Sequence, residues 1–184
     1  MIELGSPLYL AWADFLIAST ITAGPAREEI IRMEQAASSV GETGGAVNTW
    51  MLLWLAEGYG ASGRADLGLD TVAEGLELSA KSGERWCEAE LYRLKGELHL
   101  IKDADSWIEA EQCFRTAIAV ALEQRAKSWE LRATASLARL LAKQGRRDEA
   151  LAMLAEIYNW FTEGFDTADL KDAKALLEEL SNPP

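Results

Sequence analysis

Apolar residues recur along most of this 184-residue chain at the three- and four-residue intervals of an amphipathic helix. The clearest case is the segment 84–101, in which the spacing i, i+4, i+7, i+11 and i+14 is occupied by Cys87, Leu91, Leu94, Leu98 and Ile101. These side chains share one side of a helix, and that side must pack against a neighbour. Gly96 lies inside the same helix at a cost of about 1 kcal/mol relative to Ala. We therefore expect another helix to approach closely at Gly96.

The same periodicity predicts further helices over 8–22, 26–40, 48–61, 66–81, 107–123, 128–143, 148–161 and 168–180. Glycine-containing polar turns separate most of them, which is the usual way for a helix to end. Strand-like alternation of Val, Ile, Thr and Tyr is scarce, whereas Ala, Leu and Glu dominate. The chain is therefore predicted to be all-α.

A turn followed by a helix start recurs in the sequence, as Gly24-Pro-Ala-Arg-Glu-Glu-Ile, Gly63-Arg-Ala-Asp-Leu-Gly-Leu and Gly145-Arg-Arg-Asp-Glu-Ala-Leu. Equivalent positions are 29, 68, 110 and 150, at spacings of 39, 42 and 40 residues. A fixed period of this size is typical of helical repeat proteins. We predict one repeat domain over 1–184, with hairpins at about 6–42, 46–82, 84–124 and 127–162 and a capping helix at about 167–180.

The repeat resembles the tetratricopeptide repeat, which has a Trp-Leu-Gly-Tyr pattern in its first helix and Ala-Phe-Ala in its second. The best matching unit contains Leu52, Leu55, Ala56, Tyr59, Gly68, Val72 and Gly75, and the next contains Leu94, Gly96, Ala110, Phe114 and Ala117. The first unit is degenerate, and the period of roughly 40 exceeds the usual value of about 34. The resemblance implies a right-handed α-solenoid of about four tetratricopeptide-like hairpins plus a C-terminal capping helix.

Four longer sequence segments are similar to the C-terminal tail of large bacterial signalling proteins; they span 54–60, 83–98, 110–118 and 158–171. Those proteins join a class III adenylate or guanylate cyclase, or a DNA-binding transcriptional-regulator domain, to an AAA-type ATPase and then to a helical array. The resemblance implies that the chain is a fragment of such a protein. The catalytic and Walker residues of the family have no counterpart here, so no enzyme activity is implied.

The net charge of the chain makes some classes of binding partner unfavourable. Thirty acidic and eighteen basic residues give a formal net charge of −12, which disfavours nucleic acid and anionic membranes as partners. Cys87 and Cys113 lie in apolar stripes without a CxxC partner, which is typical of reduced, buried cysteines. No apolar run reaches the roughly 20 residues that a bilayer requires. We expect a cytoplasmic protein that does not enter a membrane.

Candidate chemistry is sparse. No glycine run supplies the lysine of a phosphate-binding loop. Asp103 and Asp105 begin like a calcium loop, but Trp107 and Ile108 stand where a ligand and the turn glycine belong, so turn and cap roles are expected. His99 is the only histidine, which excludes a two-histidine zinc site. We predict a non-enzymatic chain without cofactor or metal.

The resemblance to tetratricopeptide arrays implies a concave groove that binds a protein or peptide, or another domain of the parent chain. The predicted groove residues are Asp14, Trp50, Leu53, Glu57, Glu90, Arg93, Glu97, Arg132 and Arg139. Mixed charge with aromatic edges suits peptide recognition. The alternative is that the charged members only pair with one another across adjacent helices. The first hairpin also carries Trp12, Phe15 and Leu16, through which a homodimer could form.

Overall fold

The computed structural model describes residues 27–42 and 48–182. Within these ranges the chain forms helices and no strand, as predicted. The helices are α1 (Arg27–Glu42), α2 (Thr49–Ala61), α3 (Ala65–Ser82), α4 (Glu88–Lys102), α5 (Trp107–Gln124), α6 (Lys127–Lys143), α7 (Arg147–Tyr158) and α8 (Ala168–Ser181). The predicted helix over 8–22, with Trp12 and Asp14, lies outside the described residues.

The chain divides into two compact units, one ending at Cys87 and the other beginning at Glu88. The N-terminal unit contains α1 to α3 and the C-terminal unit contains α4 to α8. A single repeat domain over the whole chain therefore stays a prediction.

The N-terminal unit is built around α2, which is apolar on nearly every side and is therefore buried on most of its surface. Met51, Leu55 and Tyr59 of α2 pack with Ile30 and Met33 of α1 in one apolar cluster. A three-residue turn after α2 returns the chain as α3, and the two helices pack side by side. Short connections of this kind make neighbouring helices antiparallel, so α2 and α3 form a hairpin.

In the C-terminal unit, α4 and α5 form a hairpin whose closest point is Gly96. A Cβ atom built on Gly96 would lie 2.5 Å from Cε1 of Phe114, which is completely buried on α5. The contact confirms the close approach predicted from the mid-helix glycine. The large ring fits because the position facing it has no side chain.

The second hairpin of this unit, α6 with α7, is covered by α8. Leu137 and Leu141 of α6 and Leu154 of α7 share a buried cluster with one side of α8. That side consists of Leu170, Ala173, Leu176 and Leu180. Leu177 also packs against this cluster but is only half-buried. The apolar stripe of α8 thus faces α6 and α7 and its remaining surface is exposed, as expected for a capping helix.

A common turn connects helices in both units. Backbone amides of Arg64, Ala126 and Arg146 each donate to the carbonyl oxygen five residues earlier, at 2.8 Å. This bond defines a Schellman motif, which requires a left-handed residue just before the donor. Gly63 and Gly145 supply it with φ of 74° and 79°, while Arg125 adopts φ of 56° without being glycine. The glycine turns read from the sequence at 63 and 145 therefore share one backbone structure, and the turn at Gly24 lies outside the described residues.

Two predicted helix ends extend too far. Helix α4 begins at Glu88 rather than at 84, so Trp86 lies in the preceding turn and is 51% exposed. Ile101, expected to be buried, is 48% exposed in the last turn of α4. Helix α7 ends at Tyr158 rather than at 161, because the amides of Trp160 and Phe161 bond to carbonyls three residues back instead of four. Such tightened final turns do not alter the apolar spacing, so the sequence pattern misses them.

Candidate protein-interaction surface

Three helices of the C-terminal unit contribute charged and polar side chains to one surface, which we term the charge cluster. It consists of Glu90, Arg93 and Glu97 on α4, Arg132, Ser136 and Arg139 on α6, and Asp169 and Asp172 on α8. On α4 the three residues are spaced i, i+3 and i+7, beside the buried stripe, so they emerge at the edge of the helix that faces α6.

Glu90 is the buried centre of the charge cluster. Its carboxylate is 3% exposed and accepts two hydrogen bonds from Arg93, from Nε at 2.9 Å and from Nη2 at 2.8 Å. Nη2 of Arg132 lies 2.8 Å from the same carboxylate, across the α4–α6 contact. A buried charge with one partner removed costs about 3–5 kcal/mol. Glu90 and Arg93 are therefore a structural pair, and Arg132 reaches it from the neighbouring helix.

Glu97 provides the second link between α4 and α6. Its Oε1 accepts a hydrogen bond from the buried Ser136 hydroxyl at 2.7 Å and lies 3.5 Å from Nη1 of Arg93. The Ser136 bond crosses between the helices, so Glu97 links α4 to α6 through that hydroxyl.

The part of the charge cluster nearest α8 is more open. Nη2 of Arg139 donates to both carboxylate oxygens of Asp172, at 2.6 and 2.5 Å, with these side chains 41% and 56% exposed. Nε of Arg132 is 3.9 Å from Asp169, which is at the limit of an ion pair. Exposed ion pairs contribute only about 0–1 kcal/mol. These contacts can be exchanged at little cost, unlike the buried pair at Glu90.

A cavity of about 180 Å³ lies between these groups. Its wall carries the guanidinium groups of Arg93, Arg132 and Arg139 together with the carboxylates of Asp169 and Asp172. The cavity therefore presents hydrogen-bond donors and acceptors side by side.

The structure brings together five of the nine predicted groove residues: Glu90, Arg93, Glu97, Arg132 and Arg139. Arg93 pairs with Glu90 and Glu97 within α4, and Arg132 reaches Glu90 from α6, whereas Arg139 pairs with Asp172. The alternative interpretation expected these five residues to pair with one another across adjacent helices. Ser136, Asp169 and Asp172 were missed by the sequence interpretation. The signal for the last two was an acidic pair at i, i+3 beside the apolar stripe of α8.

The remaining predicted groove residues belong to the N-terminal unit or lie outside the described chain. Trp50 is half-buried, and its ring meets Trp54 edge-on at 4.9 Å. Glu57 is exposed, whereas Leu53 is only 6% exposed and offers little surface to a partner. Asp14 is outside the described residues.

The N-terminal unit has a smaller polar cluster of its own. The Tyr59 hydroxyl donates to Oε1 of Glu34 at 2.7 Å, and Arg64 lies 3.2 Å from the same oxygen and over the Tyr59 ring. Burial, followed by the hydrogen bond and charge of Glu34, raises the pKa of Tyr59 to about 12. The contacts among Glu34, Tyr59 and Arg64 join α1, α2 and the turn after α2.

Other candidate chemistry has structural explanations. The Asp103 carboxylate accepts the amide of Asp105 at 3.0 Å, which is the turn role expected for this pair. Burial, and then the charge of Lys95, lowers the pKa of His99. In the described part of the chain, His, Cys, Asp and Glu form no group suited to a metal ion. None of the described helices combines the length and apolarity needed to cross a bilayer.

The fold is similar to that of solved tetratricopeptide-like repeat proteins. Two crystal structures of nearly identical repeats from a kinesin light chain-like protein of Podosopora anserina superpose with TM-scores of 0.70 and 0.67. The first covers 97% of this chain and 87% of that one, the second covers 95% and 86%, and each is 15% identical in sequence. No protein-family model matches the chain, and no curated protein is significantly similar to it. The tetratricopeptide-like array predicted from the sequence is thus confirmed at the level of the fold.

Proposed function

We propose that this chain is a non-enzymatic protein-interaction module that binds a protein segment along the charge cluster. The observation that carries the proposal is the difference between its two halves. The half around Glu90 is buried and fixed, while the half around Arg139 is exposed beside a cavity and held by ion pairs that contribute little stability. A rigid base with an exchangeable polar surface is suited to recognising a peptide through side-chain contacts.

The guanidinium N–H groups of two arginines also support this proposal, because some of them are not used in contacts within the protein. Arg139 uses only Nη2 toward the protein, and Arg132 uses Nη2 and, at long range, Nε. Nε and Nη1 of Arg139 and Nη1 of Arg132 therefore have no acceptor within the described residues. A guanidinium group has five N–H donors, so each of these arginines has N–H groups with which to bind an incoming segment.

The test uses peptides selected against the purified chain from a random display library. Their affinities are measured by fluorescence anisotropy for the wild type, for R132Q/R139Q and for the control R115Q. Arg115 is a fair control because it is similarly exposed and ion-paired but lies on α5, with Glu111 and Glu149 as partners. We expect R132Q/R139Q to weaken binding at least tenfold and R115Q to leave it unchanged. Equal affinities for all three proteins would contradict the proposal.

We further propose that the chain acts in the cytoplasm as part of a bacterial signalling protein, with the four hairpins forming one domain. This rests on the resemblance of the phrases at 83–98 and 158–171 to cyclase-linked and regulator-linked tails. In that setting the bound segment could be another domain of the parent chain, and the array would regulate a nucleotide cyclase or ATPase. Sequencing the complete gene decides this: upstream cyclase or Walker motifs support it, and a free-standing array removes it.

Self-association is the remaining part of the proposal. Trp12, Phe15 and Leu16 are an apolar set in the sequence of the predicted first hairpin, which suits pairing of two copies. Multi-angle light scattering at about 100 μM should give a dimer mass that W12A reduces to a monomer mass. A monomer mass for the wild type would exclude it.

A further inference from the structure

In the exposed half of the charge cluster, two arginines on α6 face two aspartates on α8. Arg132 and Arg139 lie seven residues apart on α6, so they are two turns apart on the same side, with a rise of about 10.5 Å. Asp169 and Asp172 are three residues apart on α8, with a rise of about 4.5 Å. The aspartates are therefore too closely spaced along their helix to match the arginines.

The observed distances reflect this mismatch. The pair between Arg139 and Asp172 is tight, at 2.5 Å, whereas Arg132 and Asp169 are 3.9 Å apart. The pair at Asp172 is thus well formed, whereas the pair at Asp169 is stretched. Neither is a fork-to-fork arrangement, in which two guanidinium nitrogens meet two carboxylate oxygens, because Asp172 receives both of its bonds from the single nitrogen Nη2. A ligand with better-spaced carboxylates would satisfy both arginines more completely.

We propose that the partner segment is acidic, with two carboxylates that bind Arg132 and Arg139, and that Asp169 and Asp172 are internal competitors for the same arginines. This rests on the proposed function and specifies its ligand. In a polyproline II segment three residues complete one turn and advance about 9.3 Å, so side chains at i and i+3 lie on one side with nearly the spacing of the two arginines. The favoured motif has Asp or Glu at i and i+3.

The formal charge of the chain makes this specificity local. At −12 the protein as a whole repels an acidic peptide, so attraction must come from the two guanidinium groups at short range. Removing the competing aspartates should then strengthen binding of an acidic segment.

The experiment measures binding of three fluorescein-labelled probes to the full chain by anisotropy. The probes are a Ser/Gly peptide with Asp-Ser-Ser-Asp at its centre, the same peptide with Asn-Ser-Ser-Asn, and one with Lys-Ser-Ser-Lys. The protein variants are the wild type, D169N/D172N, R132Q/R139Q, and E178Q/E179Q. The last is the matched control, because it makes the same change in net charge on α8 with side chains that contact none of the charge cluster.

We expect the wild type to prefer the Asp probe to the Asn probe, and D169N/D172N to bind the Asp probe about tenfold more tightly than the wild type. E178Q/E179Q should change this affinity less than twofold, and R132Q/R139Q should abolish the preference. Circular dichroism verifies that each variant is folded. An affinity gain equal to that of E178Q/E179Q, or equal binding of the Asp and Asn probes, would overturn the inference.

The two proposals fail separately. If library-selected peptides lose affinity in R132Q/R139Q but the Asp probe binds no better than the Asn or Lys probe, the surface binds a segment that is not acidic, and only the present inference fails. If neither the selected peptides nor the probes respond to R132Q/R139Q, both fail.

Discussion

Gly96 offers the sharpest test of how the α4–α5 hairpin is packed. Replacing it with Ala adds one methyl group, whose carbon would lie 2.5, 2.8 and 2.9 Å from three ring atoms of Phe114. Real side chains almost never approach so closely, and the Phe114 ring is fully buried, so it has no open space into which to move. Either the ring leaves its rotamer or the two helices separate.

The magnitude follows from two opposing effects. Ala favours a helix interior over Gly by about 1 kcal/mol, which would stabilise G96A if the site were exposed. Overpacking a filled core costs about 1–3 kcal/mol. Since the clash involves three atoms of a rigid ring, we expect the second effect to dominate and the net destabilisation to be about 1–2 kcal/mol.

The assay is a double-mutant cycle with F114L, using urea unfolding followed by far-ultraviolet circular dichroism. Leu lacks two of the three ring atoms that the added methyl would meet, and its branch can rotate. G96A should therefore be neutral or stabilising in the F114L background, which gives a coupling free energy of at least about 1 kcal/mol between the two positions. Hydrogen exchange of the α4 and α5 amides should show where G96A has loosened the structure.

The reasoning is refuted if G96A alone stabilises the protein by about the helix-propensity difference. It is also refuted if the two substitutions are additive within about 0.5 kcal/mol, the scatter expected of independent sites.

Three further predictions concern other contacts. Tyr59, with its pKa of about 12, should lose its proton two pH units above free tyrosine in the difference between ultraviolet titrations of the wild type and Y59F, which removes the signal of the other three tyrosines; a difference transition near pH 10 would contradict the buried hydrogen bond. Since the unfolded chain ionises first, this contribution to stability is complete below pH 10 and declines as pH rises toward about 12. R125G should raise the free energy of unfolding by about 1 kcal/mol, because Arg125 holds a left-handed conformation that favours glycine; a thermal midpoint at or below that of the wild type would refute this. R147A should speed hydrogen exchange in the last turn of α8, because Arg147 donates to the Leu180 carbonyl at 2.7 Å and to those of two neighbouring residues. The exchange rate in the first turn of α8 serves as the control, and an unchanged last turn would show that the guanidinium does not hold it.

Local patterns along the chain determined the helices, their turns and the closest helix contact. Apolar spacing is a property of residues three and four apart, and a helix satisfies its own backbone, so the all-α class could be predicted without knowing what each helix packs against. The glycine at 96 and the glycine turns at 63 and 145 are equally local, since each reports a backbone requirement of its own position. The ends of helices were predicted less accurately, because a terminal turn can tighten without any change in the apolar pattern.

The partners of the charged residues were decided by the tertiary structure. Among the predicted groove charges, Arg132 pairs with Glu90 across α4 and α6, but Arg139 is matched by Asp172, 33 residues along the chain on a helix whose polar side had no assigned role. An ion pair depends on which side chains the packing brings within about 4 Å, and that distance is set by the apolar contacts of α6 and α8 rather than by the spacing of the charges themselves. For the same reason only the folded chain separates Glu90, which is buried between two arginines, from the carboxylates of α8, which remain in contact with water.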